Sequence, residues 1–187
     1  MSFPGIPSLD AAVMAFIQTH FHNTVTDTVF PNITSLGEAG IGWIVLSLVL
    51  LCFKKTRRTG GLVLIAMTVT LLFGELTLKN IICRLRPCNV FTNFPMLIAR
   101  PTSYSFPSGH TSSSFAAALI LTLRHKKVGW LAYIPAVLIA FSRIFLFVHY
   151  PTDVLAGILL GTLAALLTYF AAKAIQKRQA EKRTAQI

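Results

Sequence analysis

Apolar runs of near-membrane length recur along this 187-residue chain, and they limit what it can fold into. A hydrocarbon core about 30 Å thick takes roughly 20 residues of helix, and only structures that satisfy their own backbone hydrogen bonds can cross it. Five runs have this character: residues 39–53, 61–82, 107–123, 128–148 and 153–172. The first is short unless it begins near Ile33, and Pro135 predicts a kink in the fourth. The residues are 54% hydrophobic and 12% charged, a balance outside that of an ordinary soluble domain. No linker-like stretch divides the runs. The expectation is an all-α integral membrane helical bundle with five transmembrane helices, forming a single domain over residues 1–187.

Residues 8–21 have a different pattern. Leu9, Val13, Phe16, Ile17 and Phe21 fall on one helical stripe, interrupted near its ends by Asp10 and His20. That reads as an amphipathic helix lying in the interface, within an N-terminal segment spanning 1–32. The start of the chain has no basic n-region followed by an apolar run and cleavage site, so the segment is expected to remain on the protein.

A net charge of +11 raises nucleic acid as a partner, but the basic residues lie in short bursts between apolar runs and form no stripe with stacking aromatics. Nucleic acid is therefore excluded. With five spans, Lys54 to Arg58, Arg124 to Lys127 and the basic tail at 173–187 share one side and hold twelve of the seventeen Lys and Arg residues. The positive-inside rule makes that side cytoplasmic. Lys79, Arg84, Arg86, Arg100 and Arg143 remain on the outer side of the plasma (bacterial inner) membrane, where the rule predicts depletion, and so require another role.

Three stretches bring polar residues to that outer face: Lys79 to Pro87, Pro107-Ser108-Gly109-His110, and Ser142-Arg143 followed by His149 and Asp153. Lys79, Arg86 and Arg143 supply three cations, the arginines with forked donors suited to phosphate oxygens. Ser108 and Gly109 open a helix, where free N–H groups and the dipole favour an anion. Asp153, four residues beyond His149, can hold one imidazole nitrogen and leave the other as a nucleophile, with His110 as the acid. Phosphoryl transfer needs this set, and three cations can take the place of a metal or other cofactor.

The pattern Lys-x6-Arg-Pro, Pro-Ser-Gly-His and Ser-Arg-x5-His-x3-Asp, complete from Lys79 to Asp153, resembles the signature of the type 2 phosphatidic acid phosphatase superfamily. The resemblance implies that His149 attacks phosphorus, Asp153 orients it and His110 protonates the leaving oxygen. It also implies that Lys79, Arg86, Ser108, Gly109 and Arg143 hold the phosphoryl oxygens. Members in membranes are similar to six-helix bundles with an outward-facing site, and here the amphipathic N-terminal segment stands where a first span belongs. Small bacterial members resemble enzymes that recycle undecaprenyl pyrophosphate for cell-wall synthesis or dephosphorylate phosphatidylglycerophosphate. The expected partner is thus a lipid phosphate or pyrophosphate within the bilayer, undecaprenyl pyrophosphate first, with phosphatidylglycerophosphate or phosphatidic acid as alternatives. The superfamily also contains vanadium haloperoxidases, a reading that five spans oppose. A non-enzymatic carrier of lipid phosphates would not need His110, His149 and Asp153 together.

Other residues carry narrower expectations. Glu75, one turn before Lys79, is expected to pair with it or to satisfy a neighbouring helix, as structural support first and a direct catalytic part second. Arg84 reads either as a contact to a second phosphate or as a solvated or headgroup contact. Gly157 and Gly161 form a small-xxx-small pair, for packing inside the bundle or for a homodimer. Cys83 and Cys88 are expected as free thiols, with a disulfide as the alternative. Phe91, Phe94, Met96, Leu97 and Ile98 either pack over the helices or dip into the interface beside the substrate, the second being the expectation.

Overall fold

The computed structural model describes residues 3–184; the extreme ends of the N-terminal segment and of the basic tail, residues 1–2 and 185–187, lie outside the described residues. The described chain is helical: α1 (Ser8–His20), α2 (Thr24–Leu36), a 3₁₀ turn at Glu38–Gly40, α3 (Ile41–Cys52) and α4 (Arg57–Thr70). α4 continues through a π-helical stretch, Leu71–Leu78, into α5 (Lys79–Ile82), and the short α6 (Pro87–Val90) follows. After a long loop come α7 (Gly109–Arg124), a 3₁₀ turn at Gly129–Ala132, α8 (Tyr133–Phe145) and α9 (Pro151–Thr184).

Each of the five expected spans is helical at its core. Arg57–Val90 and Pro151–Thr184 are long and apolar enough to cross a membrane, and α2 with α3 forms a third candidate bent by 47°. Joined in that way, the first run would begin at Thr24, before Ile33. Pro135 does not kink a span: it lies in the first turn of α8, after the 3₁₀ turn, where its missing N–H costs no helical bond.

α7 is the central helix, packed against α4, α8 and α9, with Ala116, Ala117, Ala118 and Ile120 fully buried. The seam with α9 is tight because Gly157 and Gly161 face it. A Cβ at Gly157 would stand 2.7 Å from the Ser108 carbonyl oxygen, and one at Gly161 would overlap that of Ser112. The small-residue pair thus joins two helices of one chain. On the opposite side of α9, Leu155, Leu159, Leu163 and Leu167 form an exposed i,i+4 row, which lipid solvates and water does not.

Two apolar segments pack on the bundle in ways that the sequence alone left open. α1 docks through Asp10, Met14, Ile17 and Gln18, while Leu9 and Phe16 of the expected stripe are exposed. The 88–106 loop packs over the helices instead of dipping into the interface: Phe94 stacks on Phe147 at 3.9 Å, and Phe91 and Met96 join the same core. Arg100 ties this loop by donating to the carbonyls of Cys88, Thr92 and Phe94. Cys83 and Cys88 are free thiols.

Candidate active site

The π-helical stretch sets one wall of the site. Its wider turn brings Gly74 against Leu160 and Glu75 against Gly109, and Glu75 Oε2 accepts from Lys79 Nζ at 2.7 Å, the expected pair. A Cβ on Gly109 would collide with the Glu75 carboxylate, so glycine is required there by close approach. Ser108 caps α7: its Oγ accepts from Thr111 Oγ1 at 2.9 Å, and its N–H donates to the Asp153 carbonyl at 3.1 Å. The start of α7 is thereby fixed to the start of α9.

Six of the eight predicted site residues line one cavity of about 950 Å³: Lys79, Arg86, Gly109, His110, Arg143 and His149. Ser108 and Asp153 stand behind its wall, fully buried. Farther along, the cavity is lined by Ile44, Leu64, Met67 and Leu71 of α3, α4 and the π stretch, so it has a cationic end and an apolar flank.

His149 lies in the five-residue connection between α8 and α9 and is 1% exposed. The loop is held by the Arg143 carbonyl, which accepts from both Val148 N and His149 N at 3.2 Å. Arg86 Nη1 donates to His149 Nε2 at 2.8 Å and to the Val148 carbonyl at 2.9 Å, while its Nε and Nη2 reach Ser103. Accepting from Arg86 engages the Nε2 lone pair and places the proton on Nδ1. Burial first, then the positive fields of Arg86, Arg143 and Lys79, hold the imidazole well below the usual histidine range. The ring is neutral near pH 7, the state a nucleophile requires.

Asp153 Oδ2 lies 3.5 Å from Nδ1, a long contact on the side that the four-residue spacing predicts. The hydroxyl of Ser105 stands beside it, donating to Asp153 Oδ2 and lying 3.4 Å from Nδ1. Tyr150 N also donates to Oδ2, at 2.9 Å. Ser105 lies two residues before the Pro-Ser-Gly-His motif, and position alone could have marked it.

Arg84, about a quarter exposed, has its donors engaged within the protein. Its Nη1 donates to Asp153 Oδ1 and Thr152 Oγ1, its Nη2 to Asp10 Oδ2, each at 2.7 Å, and the guanidinium lies 3.8 Å from the centre of the Tyr150 ring. On the α7–α8 side, Arg143 Nη1 donates to Thr34 Oγ1 of α2, a partner that sequence reading missed. His110 Nε2 and Arg143 Nε are buried without a hydrogen-bond partner. Among the described residues no group of three or more His, Cys, Asp and Glu gathers as a metal site.

Residues 59–177 match the PAP2 superfamily. The chain belongs to that superfamily. An undecaprenyl-diphosphatase of Sulfolobus acidocaldarius is 39% identical over 127 residues, a match covering 67% of this chain and 61% of that protein. Undecaprenyl-diphosphatase BcrC of Bacillus subtilis is 31% identical over 157 residues, covering 79% and 76%. The fold is similar to the crystal structure of a transmembrane PAP2 type phosphatidylglycerolphosphate phosphatase from Bacillus subtilis, with a TM-score of 0.73, 29% identity, and 92% and 89% of the two chains covered. The chain thus spans less than two thirds of the length of the Sulfolobus relative, and with such relatives this PAP2 member is a membrane protein.

Proposed function

We propose that this PAP2 member hydrolyses a lipid phosphate or pyrophosphate, undecaprenyl pyrophosphate first, at the extracytoplasmic face of the plasma (bacterial inner) membrane, through a phosphohistidine on His149 and without a metal. The observation that carries the reading is the cavity itself. His149 lines the same space as Lys79, Arg86, Arg143 and His110, its Nε2 turned to the Arg86 guanidinium that a bound phosphate would draw to itself, and apolar side chains continue that space away from them. An amphiphile can place its phosphate among the cations while its chain follows the apolar flank.

In the proposed reaction Nε2 attacks phosphorus and the bond from phosphorus to the leaving oxygen breaks. His110 gives that oxygen a proton. Water then attacks the phosphohistidine, the N–P bond breaks, and His110 takes the proton that water loses. Lys79, Arg86 and Arg143 stabilise the charge on the transferring group, in the role a metal plays elsewhere. The Ser105–Asp153 pair stabilises the Nδ1 proton as the ring becomes cationic.

Undecaprenyl pyrophosphate leads because both sequence relatives carry that activity in their names. The second reading, phosphatidylglycerophosphate, rests on the similarity to the phosphatidylglycerolphosphate phosphatase structure. The outward orientation rests on the charge asymmetry of the loops. The test is phosphate release by purified protein in detergent with EDTA, comparing undecaprenyl pyrophosphate, phosphatidylglycerophosphate and phosphatidic acid. Fastest release from the polyprenyl substrate is expected; a strict need for Mg²⁺, or release from none of the three, would overturn the proposal.

A further inference from the structure

Asp10 is fully buried on a helix that exposes Leu9 and Phe16, at residue positions outside those that match the superfamily. A buried carboxylate is costly unless it is paired and hydrogen-bonded. Asp10 is both. Its Oδ1 accepts from Thr152 N at 2.9 Å, and its Oδ2 accepts from Thr152 Oγ1 and Arg84 Nη2, each at 2.7 Å. Thr152 is in the first turn of α9, immediately before Asp153, so a residue of α1 satisfies an end N–H of the helix that carries the site carboxylate.

The charges extend the argument. Arg84 bridges two fully buried carboxylates, Asp10 and Asp153, so the trio carries one net negative charge. Without Asp10, the whole Arg84 charge would fall on Asp153. The field that steadies the Nδ1 proton of His149 would then be cancelled by the cation beside it. With Asp10 present, Arg84 is shared and Asp153 keeps part of its charge for the histidine. The Tyr150 ring under Arg84 fixes the geometry of the bridge.

We infer that Asp10 is a positioning residue for phosphoryl transfer: acting through Arg84 and Thr152, it sets the orientation and effective charge of Asp153, and through it of His149. This makes α1 part of the reaction's scaffold. The inference rests on the functional reading above.

The test compares Asp10→Asn, Arg84→Gln, the double variant and Gln18→Ala in phosphate release and thermal unfolding. Gln18 anchors the same helix to the Phe145 carbonyl at 3.0 Å and touches neither Arg84 nor Thr152, so it reports docking of α1 alone. Misplacement of a reacting group costs on the order of 10- to 100-fold, and Asp10→Asn is expected to lower kcat by about that factor while KM stays within about threefold. The double variant is expected to be no slower than Arg84→Gln, because the two residues act in series. Gln18→Ala should keep its kcat. Wild-type kcat in Asp10→Asn, multiplying losses in the double variant, or an equal loss in Gln18→Ala at a similar melting temperature would each overturn the inference. If Asp10→Asn gives no folded protein, folded double variant supports the coupling and its absence overturns it. A wild type that releases no phosphate would defeat the functional reading instead. The Asp10–Arg84 coupling would then be decided by the same four proteins read in melting temperature, with additive shifts against it.

Discussion

The part of the cavity built by the start of α9 and the 83–106 loop contrasts with the part built by α7, α8 and α2. In the first, both nitrogens of His149 face named partners, Arg86 is held by two carbonyls and a hydroxyl besides the imidazole, and Asp153 accepts from Ser105, Tyr150 and Arg84. In the second, His110 Nε2 and Arg143 Nε are buried with no partner, and Arg143 leans on a single threonine of α2. The difference matches the proposed chemistry. A nucleophile gains from an orientation fixed in advance, whereas donors to the transferring phosphate and leaving oxygen find their acceptors only on the substrate.

The contrast can be broken or sharpened by variants, beginning with the largest effect. His149→Ala should reduce phosphate release by at least about 10³-fold, as loss of a nucleophile that no neighbour replaces, with the protein still folded; release at the wild-type rate would remove His149 from the role. His110→Ala should slow lipid turnover by about 10²- to 10⁴-fold. Its deficit should shrink with p-nitrophenyl phosphate, whose leaving group needs no proton, and an equal deficit on both substrates would argue against an acid.

Gly161→Ala presses a methyl group onto the Ser112 carbonyl in the α7–α9 seam and should cost about 1–3 kcal/mol of stability. Gly61→Ala meets nothing within 4 Å on α4 and should be neutral or stabilising by about 0.5–1 kcal/mol. Calorimetry in detergent separates the two. Thr34→Val frees Arg143 on the loosely held side and should raise KM about fivefold, the equivalent of one lost hydrogen bond, with kcat little changed.

The smallest effect is with pH. The folded-state value of His149 lies below the unfolded value near 6.5. The native state therefore binds fewer protons between those values, and stability present above pH 6.5 is lost as pH falls through that window. The slope is about 1.4 kcal/mol per pH unit at most. Melting temperatures from pH 7.5 to 5 should fall less steeply for His149→Gln than for wild type.

Much of this site was legible because its motifs fix residue types at short spacings on helix ends, which bring Lys79, Arg86, His110, Arg143 and His149 to one cavity. Thr34 and Asp10 were not, since they lie outside the motifs and their partners are 109 and 142 residues away in the sequence, whereas Ser105 was passed over beside a motif. The docked face of α1 was not marked by its apolar stripe, for a physical reason. Apolar stripes in a membrane protein can face lipid as readily as protein, so the buried face is marked by the polar residues that need partners, here Asp10 and Gln18. The loop aromatics could not declare their side, because Phe147, the ring on which Phe94 stacks, is reached only through the fold.

The most direct test of the central claim is to trap the covalent intermediate. Wild type and His149→Ala would be mixed with radiolabelled undecaprenyl pyrophosphate, quenched in alkali within a single turnover, and mapped by peptide mass spectrometry. The account predicts an acid-labile, alkali-stable phosphate on the peptide containing His149, absent from the variant. Label on another residue, or phosphate release during rapid turnover with no phosphoenzyme at any quench time, would contradict it.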